Sequence, residues 1–159
     1  MKSLIDVLET IQGYHTKKAT IVLVTGVFDL LHKEHLSFLT KAKAEGDVLI
    51  VAIESDKRVS QIKGSDRPIF DQETRYKNIK KLKIADLVFV LPEKFSSPRD
   101  HEELIKTIRP HILAVSSHTR HLDKKEDILK KYNGRVKIVH QHNPRISTTK
   151  LIRKFHEQK

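Results

Sequence analysis

The stretch Thr20-Ile21-Val22-Leu23-Val24-Thr25-Gly26-Val27-Phe28-Asp29-Leu30-Leu31-His32-Lys33-Glu34-His35 passes from one hydrophobic period to another. Thr20 to Thr25 is a β-branched, largely apolar run, as expected of a strand buried on both faces. From about Glu34 to Ala44 the apolar residues return every three or four positions, as on one face of a helix. Gly26, just after the strand, lets the backbone approach a ligand closely. The start of the helix offers free N–H groups and a positive dipole end to an anion such as phosphate. His32 and His35 lie three residues apart, so a helical turn there presents both imidazoles on one side. Alone, the pair fits three readings: solvated or capping histidines, two ligands of a shared cation, or two donors beside a phosphate. No third metal ligand of obvious spacing follows.

Working outward, the same alternation continues. Short β-branched runs at Val48 to Ile53, Leu87 to Leu91, Ile112 to Val115 and Val136 to Val139 join Thr20 to Thr25 as five buried strands. Helical patterns fall between and after them, at Ser55 to Ile62, Asp71 to Leu82, Arg99 to Ile108, Lys124 to Tyr132 and Thr148 to His156. Strand and helix in strict alternation imply an α/β parallel sheet with helices on both faces. Its ligand crevice is expected beyond the carboxyl ends of the strands, where the strand order reverses. Leu4, Leu8 and Ile11, with Ile5 and Val7, have helical spacing and are expected to pack as an extra helix before the first strand. The chain reads as a single domain over residues 1–159, with the extra helix in 1–18 and the core in 19–159. There is no internal repeat or low-complexity tract, and Ser96-Ser97-Pro98 and Asn133-Gly134 read as loop punctuation.

The chain has 159 residues, 38% of them hydrophobic and 32% charged, which suits one well-solvated domain with one core. No apolar run approaches the roughly 20 residues that cross a bilayer, and Met1 to Gly13 lacks the features of a signal peptide. No cysteine is present, which excludes disulfides, thiolate metal sites and cysteine nucleophiles and fits a cytoplasmic location. The formal charge of +11 attracts anions: nucleic acid, acidic membrane surfaces or phosphate-rich small molecules. Lysines such as Lys17-Lys18, Lys80-Lys81 and Lys130-Lys131 are spread along the chain and mostly suit solvated helix faces. An RNA-binding domain is one alternative. Aromatic residues make up only 6%, and no stacking platform for single strands stands out, so nucleic acid is not the expected partner.

Gly26-Val27-Phe28-Asp29-Leu30-Leu31-His32-Lys33-Glu34-His35 resembles the signature G-x-F-D-x-x-H-x-G-H of the cytidylyltransferase-like nucleotidyltransferases. The likeness extends through Leu36-Ser37-Phe38-Leu39, Ala42-Lys43, Gly46-Asp47 and Leu49-Ile50-Val51. It continues at Ser55-Asp56, Lys63-Gly64, Arg67-Pro68 and Glu73-Thr74-Arg75, and ends at Ile146-Ser147-Thr148-Thr149-Lys150. It covers nearly all of the chain from Ala19 onward, in the family's order. Glycerol-3-phosphate and phosphoethanolamine cytidylyltransferases, the heptose-phosphate adenylyltransferase and archaeal FAD synthetases belong to that family.

The resemblance implies a Rossmann-like, doubly wound, five-stranded parallel sheet of the nucleotidylyl transferase superfamily, akin to class I aminoacyl-tRNA synthetase catalytic domains. It implies transfer of CMP or AMP from CTP or ATP to a phosphate-bearing acceptor, with release of pyrophosphate. The acceptor would be an alcohol phosphate, a sugar phosphate or FMN. His32 and His35 would contact the triphosphate and stabilise the transition state, with Lys63 and Arg75 as further catalytic and acceptor-binding cations. Thr25, Gly26, Val27, Phe28 and Asp29 would line the nucleotide cleft with the histidines. Arg145, Ile146, Ser147, Thr148 and Thr149 would complete it, Ser147 and Thr148 cradling the β- and γ-phosphates. Magnesium would be bound mainly through the nucleotide, with no dedicated protein metal site. Homodimers are common in the family.

Three departures stand out. Glu34 occupies the place of the motif glycine, where a carboxylate repels a triphosphate unless it faces solvent, reaches magnesium or marks a lineage that binds nucleotide without turnover. His142 and Arg145 stand where glycerol-phosphate cytidylyltransferases have arginine and glycine. The loop Ser116 to Asp123, glycine-rich or tryptophan-containing in relatives, here carries Ser117, His118 and Arg120, which are acceptor-binding candidates or an ordinary polar loop.

Overall fold

The computed structural model describes residues 1–158. Its strands are β1 (Ile21–Gly26), β2 (Val48–Ile53), β3 (Leu87–Val90), β4 (Ile112–Ser116) and β5 (Arg135–His140). They form one sheet in the order β3-β2-β1-β4-β5, with every neighbouring pair parallel. The helices are α1 (Leu4–Thr16), α2 (Lys33–Lys43), α3 (Asp56–Lys63), α4 (Gln72–Lys81), α5 (Pro98–Ile108), α6 (Leu122–Lys131) and α7 (Thr148–Glu157). The α/β, Rossmann-like reading therefore holds, with element ends within a residue or two of the sequence pattern. Among the described residues no helix is long and apolar enough to cross a membrane.

Period two in β1 divides the core between the sheet's faces. Ile21 and Leu23 pack with Val7 and Ile11 of α1, Ile105 and Ile108 of α5 and Leu129 of α6. Val22 and Val24 pack with Leu39 and Ala42 of α2 and Tyr76 and Ile79 of α4. From central β1 the chain winds outward to β2 and β3, then returns to place β4 on the other side of β1. That reversal leaves a crevice beyond the β1 and β4 carboxyl ends. Six residue pairs join β1 to β2, whereas only Val22↔Ile112 and Leu23↔Leu113 join β1 to β4.

Two expectations need correction. β5 is not a buried strand: it closes the sheet as an edge, with Arg135, Lys137 and Ile138 exposed and no other residue fully buried. Its apolar residues alternate with basic ones, the pattern of a half-covered edge. In α1 the packed face is Val7 and Ile11, with Tyr14 against the same cluster. Leu4, Ile5 and Leu8 stay exposed, because burial of Val7 and Ile11 rotates them toward solvent.

Candidate active site

The β1–α2 loop is built around a ring that folds back on its own strand. Phe28 has φ 51°, and a Cβ on Gly26 would lie 2.8 Å from its ring. Gly26 is thus required by Phe28, a more specific reason than approach of a ligand. The Phe28 ring, 5% exposed, meets the His35 ring edge-on with centroids 5.6 Å apart.

Asp29 fixes the next part of the loop. Its carboxylate accepts from Arg67 Nε and Nη2 at 3.1 and 3.0 Å, and from the backbone N–H groups of Ile69 and Phe70 at 2.9 Å each. Arg75 strengthens the same junction from inside. Fully buried, it donates to Val27 O at 2.7 Å, Phe70 O at 3.0 Å and Asp56 Oδ1 at 2.8 Å. Its place corrects the expectation of a catalytic or acceptor-binding cation: every donor direction is taken by protein, and Arg75 ties loop to loop. A buried guanidinium with three acceptors is a strong local constraint, because removing it leaves a buried carboxylate and two carbonyls without their partner.

This frame holds the two histidines at the start of α2. His32 is the N-cap and His35 sits in the first turn, with ring centroids 3.9 Å apart and planes at 24°. The His32 N–H points to His35 Nδ1 at 3.4 Å, so the His35 proton resides on Nε2 and that nitrogen is a donor. Burial, with the neighbouring His32 and Lys63, pushes His35 down to about 4. Partial burial also lowers His32, against the pull of Glu34. Both rings are therefore neutral donors and acceptors near pH 7 in the ligand-free chain. His32 Nδ1 is enclosed without a hydrogen-bond partner among the described residues.

The other walls of the cleft come from four more elements. From α7, Ser147 caps the helix by accepting from Lys150 N at 3.2 Å, and Thr148 Oγ1 donates to Leu30 O at 3.4 Å. That brings the helix amino end beside the β1–α2 loop. From the end of α3, Lys63 projects into the cleft; its ammonium is lowered by burial and by Arg67, with Asp29 opposing. After β4, Ser116 Oγ lies 2.6 Å from His118 Nδ1, and the His118 and His142 rings are 4.1 Å apart. Partial burial, then His142, Lys63 and His140, hold His118 below the usual imidazole range.

Together these groups line one cleft of about 330 Å³ beyond the β1 and β4 ends. It gathers Thr25, Gly26, Val27, Phe28, Asp29, His32, His35, Lys63, His118, Ile146, Ser147, Thr148 and Thr149 of the candidate residues. Arg75, Arg145, Ser117 and Arg120 do not line it. Ser117 braces the loop instead, its Oγ accepting from His142 N at 2.8 Å. A larger hollow of about 710 Å³, bordered by Leu8, His15, Arg109 and His111, lies by α1, away from the strand carboxyl ends and these groups.

A family model described as cytidylyltransferase-like matches residues 23–154. This chain belongs to the cytidylyltransferase-like family. The bifunctional protein HldE of Gluconobacter oxydans is 36% identical over 90% of this chain and 29% of that protein. The HldE of Syntrophotalea carbinolica is 34% identical over 97% of the chain and 30% of its own length. The chain thus spans about 30% of the length of these curated relatives. Among solved structures, a lipopolysaccharide core biosynthesis protein from Thermoplasma volcanium superposes with a TM-score of 0.63 at 26% identity, covering 79% of this chain and 97% of that one. The family places the chain among the nucleotidyltransferases.

Against that family frame, Glu34 does not face solvent. Its side chain is 22% exposed and lines the cleft, with Oε2 2.8 Å from His140 Nε2. Lys41 Nζ lies 3.4 Å from His140 Nδ1. An ammonium only donates, so Nδ1 accepts from Lys41 and Nε2 carries the proton given to Glu34. This cytidylyltransferase-like cleft also includes Phe38, Arg67, Thr119, Lys125 and His140, which the sequence reading did not assign to the site. The strand-end rule applied to β5 would have found His140. Lys125 was hidden among the regularly spaced lysines of α6.

Proposed function

We propose that the chain transfers a nucleoside monophosphate from a nucleoside triphosphate to a phosphate-bearing acceptor and releases pyrophosphate. ATP is the donor we favour, with a sugar phosphate as acceptor, on the likeness to the HldE proteins and to the heptose-phosphate adenylyltransferase domain. The observation that carries the reading is the convergence of the stacked His32–His35 pair, the amino end of α7 and Lys63 on one cleft. Helix amino ends and neutral imidazole N–H donors suit a polyphosphate without demanding that buried charges stand unpaired before it arrives.

In this mechanism a phosphate oxygen of the acceptor attacks the α-phosphorus in line with the departing oxygen. The new P–O bond forms as the bond to pyrophosphate breaks. His35, held by the Phe28 ring and the His32 N–H, donates from Nε2 to the oxygens that gain charge, and His32 supports it from the helix cap. The free N–H groups and hydroxyls at Ser147 and Thr148 hold the leaving pyrophosphate. Stabilisation comes from positioning and from donors aimed at developing charge, so no covalent enzyme intermediate is required. The donor set fits magnesium carried on the nucleotide, since Asp29 is saturated by Arg67 and two N–H groups and Glu34 is engaged by His140. When bound, magnesium would neutralise phosphate charge. The absence of cysteine fits our placement of the reaction in the cytoplasm.

The Glu34–His140 contact favours a second reading, a nucleotide-binding domain with weak or lost turnover. Pyrophosphate release with magnesium decides between the two, testing ATP and CTP separately against alcohol phosphates, aldose phosphates and FMN, with His35→Ala as control. Release that needs one acceptor and disappears in the control supports the transferase. Triphosphate binding with no release across the panel supports the second reading.

A further inference from the structure

Two oppositely charged side chains at the end of the cleft near β2 and α6 have no direct hydrogen-bond partner. Glu54 follows β2, and its N–H donates to Gly26 O at 2.9 Å, which attaches it to the β1–α2 loop. No described residue donates a hydrogen bond to its carboxylate, and Oε2 is enclosed. Lys125, in α6, lines the cleft and is only partly exposed. It makes neither a hydrogen bond nor an ion pair among the described residues. Burial lowers the Lys125 ammonium, with Glu54 opposing, and burial raises the Glu54 carboxyl, with Arg58, Arg75 and Lys125 opposing. The two groups feel each other's charge yet do not close into a pair.

Half-buried charges without a direct partner are costly, and such groups in a cleft commonly mark a ligand site. The group that satisfies both at once is one that donates to a carboxylate and accepts from an ammonium. A hydroxyl does this with a single oxygen. Lys63 lies farther along the same cleft, close enough to His35 and His118 to lower both, and makes no ion pair or hydrogen bond of its own among the described residues. A phosphate beside Lys63 is therefore next to the paired histidines, and a carbon chain carrying hydroxyls extends from it toward α6.

We propose that Glu54 and Lys125 form a hydroxyl-reading subsite for the acceptor, which selects a polyhydroxylated aldose phosphate whose phosphate lies at Lys63. This inference rests on the transferase reading for the term acceptor, and its test reads binding alone. Affinities of the full chain, in the presence of magnesium and a non-hydrolysable ATP analogue, would be measured by calorimetry. The probes are inorganic phosphate and the 1-phosphates of five-, six- and seven-carbon aldoses. We expect at least one aldose phosphate to bind tenfold or more tightly than inorganic phosphate. That advantage should fall below threefold in Glu54→Gln and in Lys125→Met, with ATP-analogue affinity unchanged.

Lys125→Arg, which keeps the donor, should retain part of the advantage, and unchanged circular dichroism and melting of each variant would show that the fold is kept. Equal binding of phosphate and every aldose phosphate by the wild type overturns the subsite. So does an advantage that survives both substitutions. Sugar-dependent binding with no pyrophosphate release would defeat the transferase reading while leaving the subsite in place.

Discussion

Glu34 Oε2 stands 2.8 Å from His140 Nε2, joining the first turn of α2 to the last residue of β5 along one wall of the cleft. The family motif has no side chain at this position. Here a carboxylate takes the space, and the Lys41–His140 relay orients it.

A fixed anion beside a triphosphate site opposes the ligand. Glu34→Gln keeps the shape and the hydrogen bond from His140 but removes the charge. It should tighten ATP or CTP binding by roughly threefold, about 0.7 kcal/mol, the scale of a partly screened like charge. Calorimetric titration at low and moderate salt checks this. Weaker binding in the variant would mean that the carboxylate makes a favourable contact with the nucleotide.

The depressed His35 makes stability depend on pH in a defined direction. Its unfolded value is 6.5 and its folded value about 4, so between them the unfolded chain binds more protons. The contribution is complete above pH 6.5 and is lost as pH falls toward 4. His35→Asn removes this proton-linked term. Urea unfolding should show a smaller loss of stability from pH 7 to pH 4.5 in the variant than in the wild type; equal losses would contradict the buried, neutral His35.

Arg75 separates a structural from a catalytic cation. Arg75→Met leaves Val27 O, Phe70 O and the Asp56 carboxylate without their partner and should cost about 3 to 5 kcal/mol. Thermal and urea denaturation read the loss directly. A variant of wild-type stability with abolished turnover would restore a direct catalytic role.

Ser147 should behave in the opposite way. α7 has no fully buried residue, so its cap contributes little to global unfolding, yet its amino end borders the cleft. Ser147→Ala should raise the KM for the triphosphate about fivefold, near the roughly 1 kcal/mol value of a lost cap, and leave the Tm within about 1 °C. A Tm drop of several degrees would show that α7 is part of the cooperative core.

The fold was legible because buried parallel strands and amphipathic helices write different periods, and β2, with all six residues buried, was read to the residue. β5 was misjudged because Val136 to Val139 is apolar enough for a core strand, while its edge position depends on the order of strands in space. In the site, the signature led to Phe28, His32 and His35, whose spacing is local. Arg75 and Lys125 were misplaced because a lysine or arginine looks the same in sequence whether its partner is a carbonyl in the next loop or a ligand in a cleft. Glu34 was recognised as a departure, but its direction depended on His140, more than a hundred residues away in the chain.

The unequal stitching of the sheet has a practical side. With six residue pairs on one flank of β1 and two on the other, the seam between β1 and β4 is the loosest line in the sheet, and it runs beneath the cleft. Anything seated there touches both lips of the seam, Val24 to Gly26 and Ala114 to Ser116, and draws them together. Amide exchange of these residues should therefore slow on occupancy, whether or not product forms. The molecule carries its own gauge of ligand binding, one that can sort nucleotides and acceptors before any reaction has been found.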